Sequence, residues 1–575
     1  MSPSVLRRAG VAAAVTTTMS GLVVAAALAP AGAAPANANG PKPVDLQLLA
    51  LNDFHGQLEV PTGSGGRIPT GPDPDGSGPG TAPAVDAGGV EYLSTQLQEL
   101  AAEARKHNTI TVAAGDLIGA SPLLSAAFHD EPAIEALGLA GLDYASVGNH
   151  EFDEGAQELL RIQNGGCHPV DGCADGTPYA GADFQYLSAN AFVTDTGQPL
   201  LPPYAVDTVQ GVEVGFIGMT LEGTEQIVSQ QGVAGLDFAD EVETANRYAA
   251  ELQAQGVETI VVLLHEGGAQ APGSWDVNGC TGLTGPITGI AEGMSDAIDV
   301  VVSGHTHQAY NCEIDGKLVT SASSAGRLVT DIDLTLDKRT GDVLTAAAEN
   351  VVVTRDVARD PAQTGLIAHY REALGPIASE VVGTASGDIT RAPAPSGESA
   401  LGDLIADAQL ADTADEGAVA AFMNPGGVRA DLLDGPITYE EAFTVQPFAN
   451  NLVTLDLTGA QLDCLLEQQY VVGRVLQPSS TVSYTVTPGA PAGTAADPCS
   501  GQRVGDLAIG GDAVDPAATY RITVNSFLAG GGDGFSVLTG GTDPVTSSID
   551  LDALVAYLTA NSPVSAPATD RITVA

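Results

Sequence analysis

The clusters Asp53-Phe54-His55, Gly115-Asp116, Gly148-Asn149-His150-Glu151, Leu264-His265 and Gly304-His305-Thr306-His307 hold five of the chain's nine histidines, beside two aspartates and an asparagine. Carboxylate and amide oxygens together with imidazole nitrogens are donors for borderline divalent cations, and so many of them suit a pair of ions. Asp53 and His55 stand two residues apart, so a turn can aim both at one ion. Asp116 follows a glycine that permits a tight turn and has two oxygens with which to bridge two ions. Asn149 offers a neutral oxygen, and His265, His305 and His307 add nitrogens. Two cations roughly 3.5–4 Å apart would clamp a phosphoryl group and lower the pKa of a bound water toward about 7. Phosphate-monoester hydrolysis is among the slowest uncatalysed reactions and demands such help. His150 and Asp153 pair an imidazole with a carboxylate that can orient it and balance its charge. Singly each cluster is weak, since a lone histidine after a strand is more often a hydrogen-bonded structural residue and Asp116 alone could be a turn former. Five in series point to a metallohydrolase.

Each cluster sits at or just after an apolar run of strand length, at 46–51, 110–114, 144–147, 259–263 and 298–302. That spacing puts ligand-type residues at the carboxyl ends of strands, where α/β sheets gather their sites. Helical patterns at 89–106 and 240–255 alternate with the runs and predict an α/β domain. Strand-like runs at 317–322, 328–336 and 342–354 follow without helices between them, suggesting sheets that close a layered sandwich. Residues 61–89 are dense in Gly and Pro and predict a long loop or insert without regular structure. Residues 360–382 carry Leu366, Ile367, His369, Tyr370, Leu374 and Ile377 at helical spacing, which predicts a helix linking two domains. A second unit starts near 383. It shows a helix at 398–410, a strand at 419–423 ending at Asn424-Pro425-Gly426-Gly427-Val428-Arg429, strands at 451–457 and 520–524, and a helix at 459–469. No internal repeat is visible.

A chain of 575 residues exceeds one core and fits two domains. Its formal net charge of −50 would repel nucleic acid and anionic membrane surfaces, which argues against a nucleic-acid polymer as partner. A small anionic substrate would instead need local positive charge from bound ions and a few arginines. Arg7-Arg8, the apolar stretch 9–28 and Ala31-Gly32-Ala33 read as a signal peptide within 1–38, with Ala36-Asn37-Ala38 a second cleavage candidate. The expected mature protein is secreted, with no stable membrane insertion. Six cysteines in an exported chain read as disulfides, and their spacing favours Cys167–Cys173, Cys280–Cys312 and Cys464–Cys499.

The order Asp-x-His, Gly-Asp, Gly-Asn-His-Glu, His, Gly-His-x-His resembles the calcineurin-like metallophosphoesterase superfamily over about 45–345. In the second unit, the Asn424–Arg429 segment, Gln446-Pro447-Phe448 and Asn525-Ser526-Phe527 with Asp533-Gly534-Phe535 resemble the C-terminal substrate domain of the 5′-nucleotidases. The resemblance implies a four-layer αββα sandwich at 44–347, a linker with a helix at 348–382, and a smaller α+β substrate domain at 383–575. It implies two divalent ions, zinc or manganese, one held by Asp53, His55, Asp116 and His307 and the other by Asp116, Asn149, His265 and His305. His150 and Asp153 match the family's catalytic dyad. Phe448 and Phe527 match aromatics that sandwich the base, Asp533 a carboxylate for the ribose hydroxyls, Arg429 a phosphate-binding arginine and Asn424 a polar contact. Without the resemblance, Phe448 and Phe527 would read as core packing. One departure concerns Gly397, which stands where well-known members carry an arginine, leaving Arg391 upstream as a possible substitute. His107, His129, His168 and His369 fall outside the clusters and read as structural or surface residues.

The implied function is a secreted, two-metal 5′-nucleotidase acting on nucleoside monophosphates. Rivals on the same scaffold are a 2′,3′-cyclic-nucleotide phosphodiesterase and a nucleotide-sugar or dinucleotide pyrophosphatase. A rival of another class is an inactive surface binding protein.

Overall fold

The computed structural model describes residues 42–72, 83–104, 108–229, 232–494 and 496–575, so the expected signal peptide and His107 lie outside the described residues. The first half is built on two six-stranded mixed sheets. The first runs Val343–Val352, Leu328–Asp337, Pro43–Leu51, Thr109–Ala114, Tyr144–Ser146 and Gln185–Leu187. The second runs Ala309–Ile314, Lys317–Ala322, Val300–Ser303, Thr259–His265, Val212–Thr220 and Tyr204–Val209. Most neighbouring inner strands pair in parallel, for example Leu51 with Ala113 and Leu264 with Ser303, while the edge strands Tyr204–Val209, Ala309–Ile314 and Val343–Val352 pair antiparallel. Inner strands covered on both faces must be apolar throughout, and every residue of Thr259–His265 is buried.

Leu48, Val112, Phe216, Val261 and Ile332 meet between the sheets. Each fully buried side chain of this kind contributes about 1.5–3 kcal/mol. Helices Val90–Glu103, Glu131–Leu139 and Ala156–Asn164 cover the outer face of the first sheet, and Glu241–Gln255 and Pro286–Gly293 that of the second. This is the four-layer αββα sandwich. Helix Glu241–Gln255 starts where its pattern starts because the Asp240 side chain accepts from Glu243 N at 2.7 Å.

Part of the expected unstructured insert is ordered. Arg67–Pro69 pairs with Ala84–Asp86, and the Arg355 guanidinium ties the segment down by donating to the carbonyls of Pro61, Ala87 and Gly88. A Gly/Pro-rich composition offered no periodicity from which that pairing could be read. The helix Pro361–Ala378 is docked rather than free. Ile367 and Tyr370 enter the core under the first sheet, and the Tyr370 ring meets Phe128 at 4.9 Å.

The second half holds a five-stranded sheet, Gln477–Pro478, Ala420–Met423, Thr519–Asn525, Asn451–Thr458 and Thr542–Ile549, beside a four-stranded one. Helices Ala400–Asp412, Gly459–Val472 and Asp550–Asn561 pack with these strands, an α+β arrangement. The predicted helix at 398–410 begins two residues later because Ser399, whose hydroxyl accepts from Gly402 N, is its cap. Three disulfides join Cys167–Cys173, Cys280–Cys312 and Cys464–Cys499. Among the described residues no helix is long and apolar enough to cross a membrane.

Candidate metal centre and substrate site

The parallel register brings the carboxyl ends of the inner strands level, and the two sheets contribute different chemistry. The first supplies Asp53, His55, Asp116 and Asn149, and the second supplies His265, His305 and His307. Five of these donors adopt a left-handed backbone: Asp53 (φ 51°), His55 (49°), Asp116 (49°), His305 (68°) and His307 (54°). Such conformations cost on the order of 1–3 kcal/mol each and persist only where neighbours hold them. Here main-chain bonds between strand ends do so, with Asp53 N donating to Gly115 O and His55 N to Asp116 O, each at 3.0 Å. The two loops also press together. Gly115 (φ 73°) has no room for a side chain, since a Cβ would lie 2.7 Å from Gly148 Cα, and a Cβ on Gly148 would run into Asp116 Oδ1.

The donor atoms converge. Asp53, His55 and His307 each offer an atom within 4.8 Å of the others, as do Asp116, His265 and His305. His55 Nε2 and His307 Nε2 face each other at 2.9 Å, and His307 Nε2 lies 3.3 Å from Asp53 Oδ1. His305 Nδ1 lies 3.0 Å from Asn149 Oδ1. Main-chain carbonyls orient two of the rings: Nδ1 of His55 is 2.8 Å from Gly119 O and Nδ1 of His265 is 2.8 Å from Ala114 O, so both present Nε2 to the centre. His265 Nε2 is buried 2.9 Å from Asp116 Oδ2 without completing a hydrogen bond. An orphaned buried nitrogen beside a carboxylate, and two ring nitrogens opposed at hydrogen-bond distance, are what cations between these groups would relieve. The residues therefore fit a two-ion centre.

Charges follow the same logic. Burial alone would raise the Asp116 carboxyl, yet His265, His150 and His55 hold it well below its ordinary value. Burial, aided by His307 and His150, lowers His55 to about 4. Burial and His265 lower His305 to about 4, so both rings keep their lone pairs at neutral pH. His150 differs. Burial opposes its protonation, but Asp153 and Asp116 outweigh that and raise it to about 10. Asp153 Oδ2 lies 2.6 Å from His150 Nδ1, and His150 N donates to Asp116 Oδ1 at 3.0 Å. A charged, oriented imidazole thus stands beside the centre.

Glu151, inside the Asn-His-Glu cluster but given no role from sequence, is the buried anchor of these loops. Its carboxylate accepts from Asp116 N at 3.0 Å, Leu117 N at 2.8 Å and Gly148 N at 2.5 Å. Burial pushes it up to about 7.

In the second half Asn424, Phe448, Phe527 and Asp533 gather with the loop carrying Arg429. Phe448 and Phe527 are each 47 % exposed, so neither is a core residue. The Arg429 guanidinium lies 5.6 Å from the Phe448 ring centre. Asn424 Nδ2 donates to Asp533 Oδ2 at 3.1 Å, and Arg474 Nη1 donates to Asp533 Oδ1 at 2.5 Å. Arg474 has no sequence signal, because 59 residues separate it from its partner. An arginine could not stand at 397, where φ is 97° and a Cβ would lie 2.7 Å from Val475 Cγ2. Arg391 instead donates to the carbonyl of Val428 at 3.4 Å, beside Arg429 in the chain.

A cavity of about 810 Å³ lies between the halves, with His150, Asp153 and Glu154 on one side and Tyr439, Phe443 and Asp552 on the other. Neither the seven candidate metal ligands nor Arg429, Phe448 and Phe527 line it, although Ala449 beside Phe448 does.

Fold and site together define a layered α/β hydrolase scaffold with an imidazole–carboxylate centre and an appended α+β unit. The calcineurin-like phosphoesterase family matches residues 46–309, and the 5′-nucleotidase C-terminal domain matches residues 381–540. Endonuclease YhcR of Bacillus subtilis is 35 % identical over 90 % of this chain, which spans 40 % of that protein's length. Cell wall protein Lmo0130 of Listeria monocytogenes is 30 % identical, with 90 % of this chain and 67 % of the relative covered. The crystal structure of a 5′-nucleotidase precursor from Thermus thermophilus matches with a TM-score of 0.54 and 28 % identity, covering 92 % of this chain and 99 % of that one. The chain belongs to the 5′-nucleotidase family of calcineurin-like phosphoesterases.

Proposed function

We propose that this protein is a secreted, metal-dependent 5′-nucleotidase that releases phosphate from nucleoside 5′-monophosphates. In this reading 44–347 carries the chemistry, 348–382 links, and 383–575 binds the nucleoside. The observation that carries it is the unsatisfied convergence at the strand ends, above all the facing Nε2 atoms of His55 and His307 and the orphaned Nε2 of His265. Asp53, His55, Asp116 and His307 would hold one ion and Asp116, Asn149, His265 and His305 the other. Two divalent ions, when bound, would supply Lewis-acid stabilisation of the phosphoryl oxygens and a water acidic enough to attack.

The rest falls to the chain's own groups. Asp153 orients His150 through Nδ1, so the opposite nitrogen can donate to the oxygens on which charge builds in the transition state. Phe448 and Phe527 offer exposed faces to a base, worth about 1–3 kcal/mol per stacked base and tolerant of base identity. Asp533 would take the ribose hydroxyls, Asn424 would make a polar contact to the nucleoside, and Arg429 would grip the phosphate. Since the two sets of residues belong to different halves of the chain, closure of one half on the other would complete the site. The three disulfides need an oxidising compartment, which supports export through a signal peptide at 1–38.

The test is phosphate release from AMP with and without chelator. Activity should vanish on chelation, and His150→Ala should lower kcat by about 10²–10⁴-fold. Undiminished turnover by His150→Ala or Asp116→Ala would falsify the mechanism. The 35 % identity to Endonuclease YhcR favours one second reading, phosphodiester cleavage. The net charge of −50 weighs against a polymer, leaving a small cyclic or dinucleotide diester, and competition between AMP and such a diester at equal concentration decides.

A further inference from the structure

A second group of metal-type side chains stands apart from the centre, built around two histidines that the sequence offered no reason to associate. The rings of His129 and His168 stack with centroids 3.8 Å apart and planes 20° apart. Glu154 Oε2 lies 2.7 Å from His129 Nδ1, while Asp171 Oδ2 lies 3.1 Å from His129 Nε2 and 3.1 Å from His168 Nδ1. His129, Glu154 and His168 each present a ligand atom within 4.8 Å of the others. We propose that His129, Glu154 and His168, with Asp171 at their edge, form a third cation site for a borderline divalent ion such as Zn²⁺, distinct from the dinuclear centre.

Donor chemistry is the first support. Two imidazoles with carboxylates make up a tetrahedral zinc set, whereas an oxygen-preferring ion such as Ca²⁺ would find too few oxygens. Preorganisation is the second. His168 and Asp171 lie in a loop closed by Cys167–Cys173, and His168 and Gly172 exchange main-chain bonds of 3.0 and 2.9 Å across it. His129 is held in the left-handed region (φ 51°) just before helix Glu131–Leu139. The rings are largely covered, with side-chain exposures of 19 and 14 %, while Glu154 and Asp171 open to solvent at 45 and 57 % and give an ion its way in.

The third support is electrostatic. Glu154 and Asp171 bracket His129, and Asp171 also faces His168, so two carboxylates stand where they would balance the charge of an ion held between the rings. Ligation asks the rings to tilt out of their stack until their in-plane lone pairs meet. The ion would then join three segments: the turn before Glu131–Leu139, the stapled loop, and the turn where Glu154 follows Asp153 of the dyad. His129, Glu154 and Asp171 all line the 810 Å³ cavity, so the site would brace the wall against which the dyad sits.

The experiment counts zinc by elemental analysis after loading and dialysis against metal-free buffer. The wild type is expected to hold one equivalent more than His168→Ala, and one more than His168→Phe, which keeps a ring against His129 but offers no nitrogen. Asp116→Ala disrupts the other centre and is expected to retain that equivalent, so failure of the dinuclear reading and failure of this one give different counts. Cobalt loading provides a spectroscopic check: subtracting His168→Phe from wild type should leave the visible bands of a four-coordinate Co²⁺. Equal zinc in the wild type and both His168 variants, or a blank cobalt difference, overturns the site.

Discussion

The backbone strain at Asp53, His55, Asp116, His305 and His307 makes Glu151 the residue on which the centre most depends. It touches no ligand side chain, yet its two oxygens take up three amides of the loops carrying Asp116 and Asn149. Removing it strands three buried N–H groups, at about 1–3 kcal/mol each. Glu151→Ala should therefore lower the urea midpoint and also weaken metal affinity, measured by titration; a variant with wild-type stability would show that the loops hold themselves. Arg474 acts at the other site. Its bond to Asp533 fixes the carboxylate expected to meet the ribose, so Arg474→Ala should raise KM for AMP by up to about tenfold with kcat little changed. A fall in kcat at constant KM would assign Arg474 to the reaction instead.

Among the elements, helix Asp550–Asn561 carries an unusual first residue. Asp550 is buried, its Oδ1 has no hydrogen-bond partner, and Asn450 reaches its Oδ2 only at 3.4 Å. Burial pushes its carboxyl up to about 7. A folded-state pKa raised above the unfolded value of about 3.9 means that the folded chain binds the extra proton between those limits. The group's contribution to stability is full below about pH 4 and is lost as pH rises through 7. Asp550→Asn, neutral at every pH, should stabilise the protein by several degrees in Tm at pH 8 and by nothing near pH 4. A gain of equal size at both pH values would point to packing rather than charge. Elsewhere the strand and helix patterns were legible to within a few residues, because inner strands buried on both faces must be apolar and caps such as Asp240 mark helix starts. The pairing of Arg67–Pro69 with Ala84–Asp86 was not legible, since it depends on Arg355 arriving from nearly 300 residues away.

For the whole molecule, the issue is how two half-sites meet. Thr546 in the second half donates to Gln226 O in the first at 3.2 Å, one of the direct ties between them. A Gln226→Cys/Thr546→Cys pair, oxidised, should hold the halves as they stand. If closure is required, AMP hydrolysis should fall at least tenfold in the oxidised protein and return on reduction, while a small phosphate ester needing no aromatic pair keeps its rate. Equal loss for both substrates would locate the effect at the centre rather than in closure.

By itself the sequence determined the class of chemistry and the run of strands and helices that carries it. Ligand-type residues directly after apolar runs are a local pattern, and local patterns survive in one dimension. Its spacing favoured the cysteine pairing found in the structure without fixing it, since 32 and 35 residues separate two of the three pairs. Tertiary structure decided what depends on long separations. It opposed His55 and His307 across 252 residues, joined Arg474 to Asp533, turned Glu151 into the anchor of two loops, and stacked His129 on His168. The packing of the two sheets opposes His55 and His307, the stapled loop carries His168 to His129, and folding of the second half brings Arg474 to Asp533.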